Sequence, residues 1–86
     1  MNIRMHLSDV LAYYANNQSW VNGQGNTVNE CLKNLTEQFP DLKQLIEVAR
    51  LGNRIDIFLN QENNAVEDFS KPVKIGDELN IQLLVG

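Results

Sequence analysis

Val28, Cys31, Leu32, Leu35 and Phe39 fall at i, i+3, i+4, i+7 and i+11, a continuous apolar stripe at helical spacing and the best-specified element of the chain. A helix is expected there. Thr27 ahead of the stripe and Glu30 three residues later form a capping box, in which the hydroxyl accepts from the third helical N–H while the carboxylate reaches back. Pro40 should end the helix at Phe39, because the proline ring disfavours helical geometry in the residue before it. The remaining face, Asn29, Lys33, Asn34, Glu37 and Gln38, is polar. After Pro40, Leu42, Leu45, Ile46 and Ala49 give a second, shorter stripe closed by Gly52-Asn53.

Alternating segments flank these helices. Ile3, Met5 and Leu7 share one face of a predicted strand and Arg4 and His6 the other, and Ile55-Asp56-Ile57-Phe58-Leu59 repeats the pattern. Residues 8–17 read as a short helix or turn, Ser19-Trp20-Val21 as a hairpin partner of the first strand, and Asn22-Gly23-Gln24-Gly25-Asn26 as a loop. Val66 to Phe69 is expected to add a short edge strand, and Ile75-Gly76-Asp77 a tight turn before the last strand. Strands on both sides of one main helix, with too few residues for two helical layers, imply an α+β chain whose mixed sheet of four to five strands wraps around that helix.

With 86 residues the chain is expected to form one small domain, residues 1–86, with little core to spare for an enclosed catalytic pocket. A carrier or binding module is favoured over an enzyme. Seven Lys and Arg against 11 Asp and Glu leave a net charge of −4, which argues against nucleic acid as a partner. Cys31 is the sole cysteine, so no intramolecular disulfide or cysteine-rich metal site is expected, and its place on the apolar stripe marks it as a buried thiol. His6 has no second ligand at metal spacing. No segment approaches the roughly 20 apolar residues of a membrane span, and the chain is expected to be cytoplasmic, with no membrane partner. Trp20 is read as a lid on the core, and Asp77 as a turn stabiliser rather than half of a carboxylate pair.

The chain then runs from Gly76-Asp77 into Glu78-Leu79-Asn80-Ile81-Gln82-Leu83-Leu84-Val85-Gly86. Alternation puts Leu79, Ile81, Leu83 and Val85 on the core side and Asn80, Gln82 and Leu84 outside. Phe58 is outward by the same count, so Phe58 and Leu84 are expected to form an exposed apolar patch of the kind that binds proteins.

The order of these elements, with Thr27-Val28, Phe39-Pro40-Asp41-Leu42, Ile55-Asp56-Ile57-Phe58-Leu59-Asn60 and Gly76-Asp77-Glu78-Leu79, resembles the ubiquitin-like β-grasp sulfur carriers. The similarity is to the small subunit of molybdopterin synthase and the cysteine-biosynthesis carriers, and more distantly to the thiamine-pathway carrier. The resemblance implies that the Gly86 carboxylate is adenylated by an E1-like adenylyltransferase using ATP and converted to a thiocarboxylate. It further implies delivery of sulfur to an acceptor such as a molybdopterin synthase large subunit, in cofactor or amino-acid biosynthesis. The chain itself would bind no cofactor, and Phe58, Leu84 and Val85 would meet the partners. Glycine suits the terminal position, since a Cβ would obstruct a backbone threaded into a narrow site. The family usually ends in Gly-Gly, whereas Val85 precedes Gly86 here, and the tail is about two residues, or about 7 Å, shorter. The alternative is a non-conjugating ubiquitin-like interaction module that binds through its sheet.

Overall fold

Residues 2–84 are described by the computed structural model. The elements follow as β1 (Asn2–Leu7), α1 (Asp9–Tyr13), β2 (Trp20–Gln24), α2 (Val28–Gln38), α3 (Pro40–Leu51), β3 (Ile55–Leu59) and β4 (Glu78–Leu83). The sheet has four strands in the order β2-β1-β4-β3. Its centre is the parallel pair β1 and β4, in register from Arg4 opposite Glu78 to Leu7 opposite Ile81, and antiparallel strands β2 and β3 flank it.

Alternation decides which face closes. Ile3, Met5, Leu7, Val21, Ile55, Ile57, Leu59, Leu79 and Ile81 are buried on one side, and α2 lays Val28, Cys31, Leu32 and Leu35 over them. Leu42, Ile46 and Ala49 of α3, and Leu11 and Ala12 of α1, complete a single apolar cluster. The second helix is not the shorter one, since α3 has 12 residues and α2 has 11. Pro40 explains the abrupt change of direction: it is disfavoured inside α2 yet well suited to the first turn of α3, where no N–H is needed. At the far end of α3 the left-handed conformation is taken by Asn53 (φ 54°), not by Gly52.

The start of α2 follows the capping box with one shift. Thr27 Oγ1 accepts from the Glu30 amide at 3.1 Å, while Glu30 Oε1 accepts from Asn26, one residue upstream of the cap, at 2.9 Å. The first two helical amides, Val28 and Asn29, donate to the carbonyls of Lys71 and Phe69 at 3.0 and 2.8 Å. Val66 to Phe69 is therefore no edge strand. Val66 donates once to the Ile57 carbonyl of β3, and the chain then turns away to satisfy the helix end, whose free N–H groups need acceptors. Replacing Thr27 with Ala should lower stability by about 0.5–2 kcal/mol. Thermal unfolding checks this, and an unchanged melting temperature would mean that the hydroxyl caps nothing.

The segment expected as a loop at Asn22–Asn26 is mostly strand, because β2 runs through Asn22-Gly23-Gln24. Gly23 faces inward where a Cβ would come within 2.4 Å of Met5 Cε, so the glycine makes room for the core beneath the edge strand. Outward-pointing groups of that edge are taken up by α2. Gln24 N–H donates to Asn34 Oδ1 at 2.9 Å, and Gln38 Nε2 donates to the Asn22 carbonyl at 2.8 Å. An edge strand covered in this way is a poor template for a further strand.

Candidate functional site

Two regions hold the residues singled out from the sequence: the end of β4, from which the chain continues towards Gly86, and the sheet face that no helix covers. Val85 and Gly86 lie outside the described residues. Up to Leu84 the chain is held from both sides. Leu83 donates its amide to Ser8 Oγ at 3.2 Å, and Leu84 donates to the Arg54 carbonyl at 2.7 Å. Ser8 is in turn fixed by its own amide on the Ile81 carbonyl at 3.0 Å. Gly86 lies two positions beyond this last tie in the sequence.

At the other end of β4 a tight clasp sets where the strand begins. Gly76 adopts φ 93°, a conformation that suits glycine, and Asp77 accepts from the Lys74 amide at 2.9 Å and from Asn60 Nδ2 at 3.1 Å. Asn60 Oδ1 accepts from the Glu78 amide at 3.0 Å, and Asn60 N–H donates to the Glu78 carbonyl at 2.7 Å. Asp77 is thus committed to the turn.

The open face is organised by register. Trp20 stands opposite His6, His6 opposite Asn80, and Asn80 opposite Phe58, so these four side chains form a row across all four strands. The His6 and Trp20 ring centroids are 4.8 Å apart, and His6 Nδ1 lies 3.4 Å from Asn80 Oδ1. Arg4, one pair along, places its guanidinium 4.3 Å from the Trp20 centroid while its Nη1 meets Glu78 Oε2 at 3.2 Å. Such an exposed ion pair contributes at most about 1 kcal/mol and the cation–π contact a similar amount, so the row is ordered but easily rearranged on binding. Trp20 does not cover the core. It is 45% exposed on the open face, and the alternation Trp20-Val21, with Val21 buried, was the signal that places it there.

Phe58, half-buried in this row, is not a neighbour of Leu84. Leu84 lies four residues beyond Asn80, roughly 13 Å away at about 3.3 Å per residue, and its backbone is paired with Arg54. The pair expected as one patch occupies two separate places. No catalytic set appears among the described residues. Cys31 is fully buried and its thiol pKa is raised, by burial first and by Glu30 second. No group of three metal-ligating side chains occurs among the described residues, and no described helix is long and apolar enough to cross a membrane.

Small archaeal modifier protein 1 from Haloferax volcanii superimposes on the chain with a TM-score of 0.83, 22% identity and coverage of 100% of this chain and 98% of that one. The fold is a ubiquitin-like β-grasp. A chain of the BexX/CysO complex of Amycolatopsis orientalis matches this β-grasp chain at a TM-score of 0.82 and 22% identity, covering 98% of this chain and 97% of its own. A chain of the complex between subunits 1 and 2 of the molybdopterin-converting factor from Helicobacter pylori 26695 matches at 0.66 and 16% identity, covering 100% and 97%. No protein-family model matches the sequence, and no curated protein matches it.

Proposed function

We propose that the chain is a sulfur carrier whose Gly86 carboxylate is the reactive group, and that residues 1–86 act as one β-grasp domain with a reactive tail. A carboxylate oxygen attacks the α-phosphorus of ATP in an E1-like adenylyltransferase, releasing pyrophosphate and leaving an acyl adenylate. A sulfide-class donor then attacks the carbonyl carbon. The C–S bond forms as the C–O bond to AMP breaks, and the thiocarboxylate passes its sulfur to an acceptor enzyme of the molybdopterin synthase large-subunit kind. The chain supplies the carboxylate, the reach and the docking surface, while ATP and the sulfur donor belong to its partners. Phe58, Leu84 and Val85 meet those partners.

The observation that carries this reading is the β-grasp likeness over nearly the whole chain, which extends to chains found in two partner complexes, BexX/CysO and the molybdopterin-converting factor. Cys31, the sole cysteine, is buried and so offers no thiol to a partner. Incubation with an activating enzyme, ATP and a sulfur donor should raise the intact mass by about 16 Da, the exchange of one oxygen for sulfur in a covalent group carrier. An unchanged mass with an enzyme that charges another carrier under the same conditions would refute it.

The ordered row Trp20, His6, Asn80 and Phe58 also favours a second reading, a β-grasp module that binds a protein through its open sheet face without using the tail. Loss of partner binding in Phe58→Ala, together with full function after a residue is added beyond Gly86, would select it over the carrier.

A further inference from the structure

The exposed apolar side chains are not spread evenly over the molecule. β1 and β4 end, and β2 and β3 begin, at the same end of the sheet, because the central pair is parallel and the flanking strands are antiparallel to it. Everything that joins those termini gathers there. The β1–β2 connection places α1 at this end, with Val10 40%, Tyr13 69% and Tyr14 42% exposed. The turn from α3 into β3 carries Leu51, 87% exposed, three residues before Arg54, whose carbonyl holds the Leu84 amide. Leu84 itself is 42% exposed. By contrast, the turn at the opposite end of β4 carries only Ile75 as a large exposed apolar residue.

Resting on the reading that Gly86 is the reactive residue, we infer that Val10, Tyr13, Tyr14, Leu51 and Leu84 form an apolar collar that seats on the rim of the adenylating active site. Reach requires close seating, and in the proposed sequence the adenylating site is the first to receive Gly86. Two residues at about 3.3–3.6 Å each carry Gly86 no more than about 7 Å beyond Leu84. The mouth of the partner's active site must therefore close down on the exit point itself. A specific interface removes about 800 Å² from each partner, a disc of roughly 16 Å radius. α1 begins beside Ser8, which bonds Leu83, and its five residues extend only about 7.5 Å, so the disc takes in the whole helix. Tyrosine suits such a place, having a large rigid apolar body and a hydroxyl that needs a partner. Tyr13 and Tyr14 are pre-arranged edge to face, with centroids 5.1 Å apart and planes at 87°. The charged residues flanking the collar are Asp9, Glu47, Arg50 and Arg54, two of each sign, so the complementary rim is apolar with hydrogen-bond acceptors for the two phenols rather than of one strong charge.

The test is ATP–pyrophosphate exchange with a purified E1-like adenylyltransferase from the same organism, varying the concentration of the full chain. The double variant Tyr13→Ser, Leu51→Ser should raise KM for the chain at least about 10-fold with kcat unchanged, the signature of docking energy spent equally on ground and transition states. Ile75→Ser, equally exposed at the other end, should leave KM within about twofold. Both collar positions are well exposed, so melting temperatures should hold. If the double variant melts early, the two single variants take its place. Exchange with the wild-type chain whose KM ignores the collar substitutions would overturn the collar and leave the carrier standing. No exchange with the wild-type chain, where the enzyme charges another carrier, would overturn both.

Discussion

Deletion of Gly86 should abolish adenylation, to below about one part in a thousand of the wild-type rate, while the melting temperature stays within a degree or two. The reacting carboxyl carbon belongs to that residue. After its removal the carboxylate is that of Val85, displaced by one residue or about 3.5 Å. A misplacement of 1 Å in an active site already costs about 100-fold, so a shift this large leaves nothing measurable. Stability is untouched because the ties that finish the sheet, Leu83 to Ser8 and Leu84 to Arg54, lie before the deletion. Gly86→Ala keeps the carboxylate in place but adds a Cβ, and its rate should fall between the two. Pyrophosphate exchange beside thermal unfolding separates the outcomes, and full activity in the deletion would end the carrier reading.

Ile81→Ala is expected to have the largest effect on the fold, about 2–5 kcal/mol. Ile81 is completely buried in the third of four strands, directly between Leu7 of β1 and Ile57 of β3. Its side chain has packed neighbours on both strands, so truncation opens a cavity that neither can close by moving alone. A domain of this size holds about 5–15 kcal/mol in all, so a large part of its stability rests on this residue. Urea titration should show a lower midpoint with an unchanged slope, and a midpoint shift below about 1 kcal/mol would show that the core repacks.

Much of the architecture was legible because each local signal agreed with its neighbours. Thr27 and Glu30 marked the start of α2, Pro40 marked the corner, and alternation in β1, β3 and β4 separated inner from outer residues. The failures have a common cause, which is that the deciding groups are distant in sequence. Gly23 looks like a turn residue until Met5 is placed beneath it. Val66 and Phe69 suggest a strand, yet the end amides of α2 take their acceptors from the stretch that follows and hold it away from the sheet. Phe58 and Leu84 were paired by parity alone, which fixes the face but not the register. The register sets Phe58 beside Asn80 and His6, and leaves Leu84 at the end of the sheet with α1 and Leu51. The proposed collar could not be read from the sequence, because the segments carrying Val10, Tyr13 and Leu51 are placed at one end of the sheet only once the strand directions are known.

The parallel pairing of β1 with β4 also governs how the protein is born. Arg4 and Glu78 are partners 74 positions apart, so β1 waits for a strand synthesised long after it, and the sheet cannot close by local steps. A nascent chain that stops before β4 lacks a central strand rather than an edge. It has no stable native state to reach, and its exposed strands are open to chaperones and proteases. Completing the fold thereby certifies that synthesis has passed β4, so any protein that recognises the folded surface would meet few chains that stop before it.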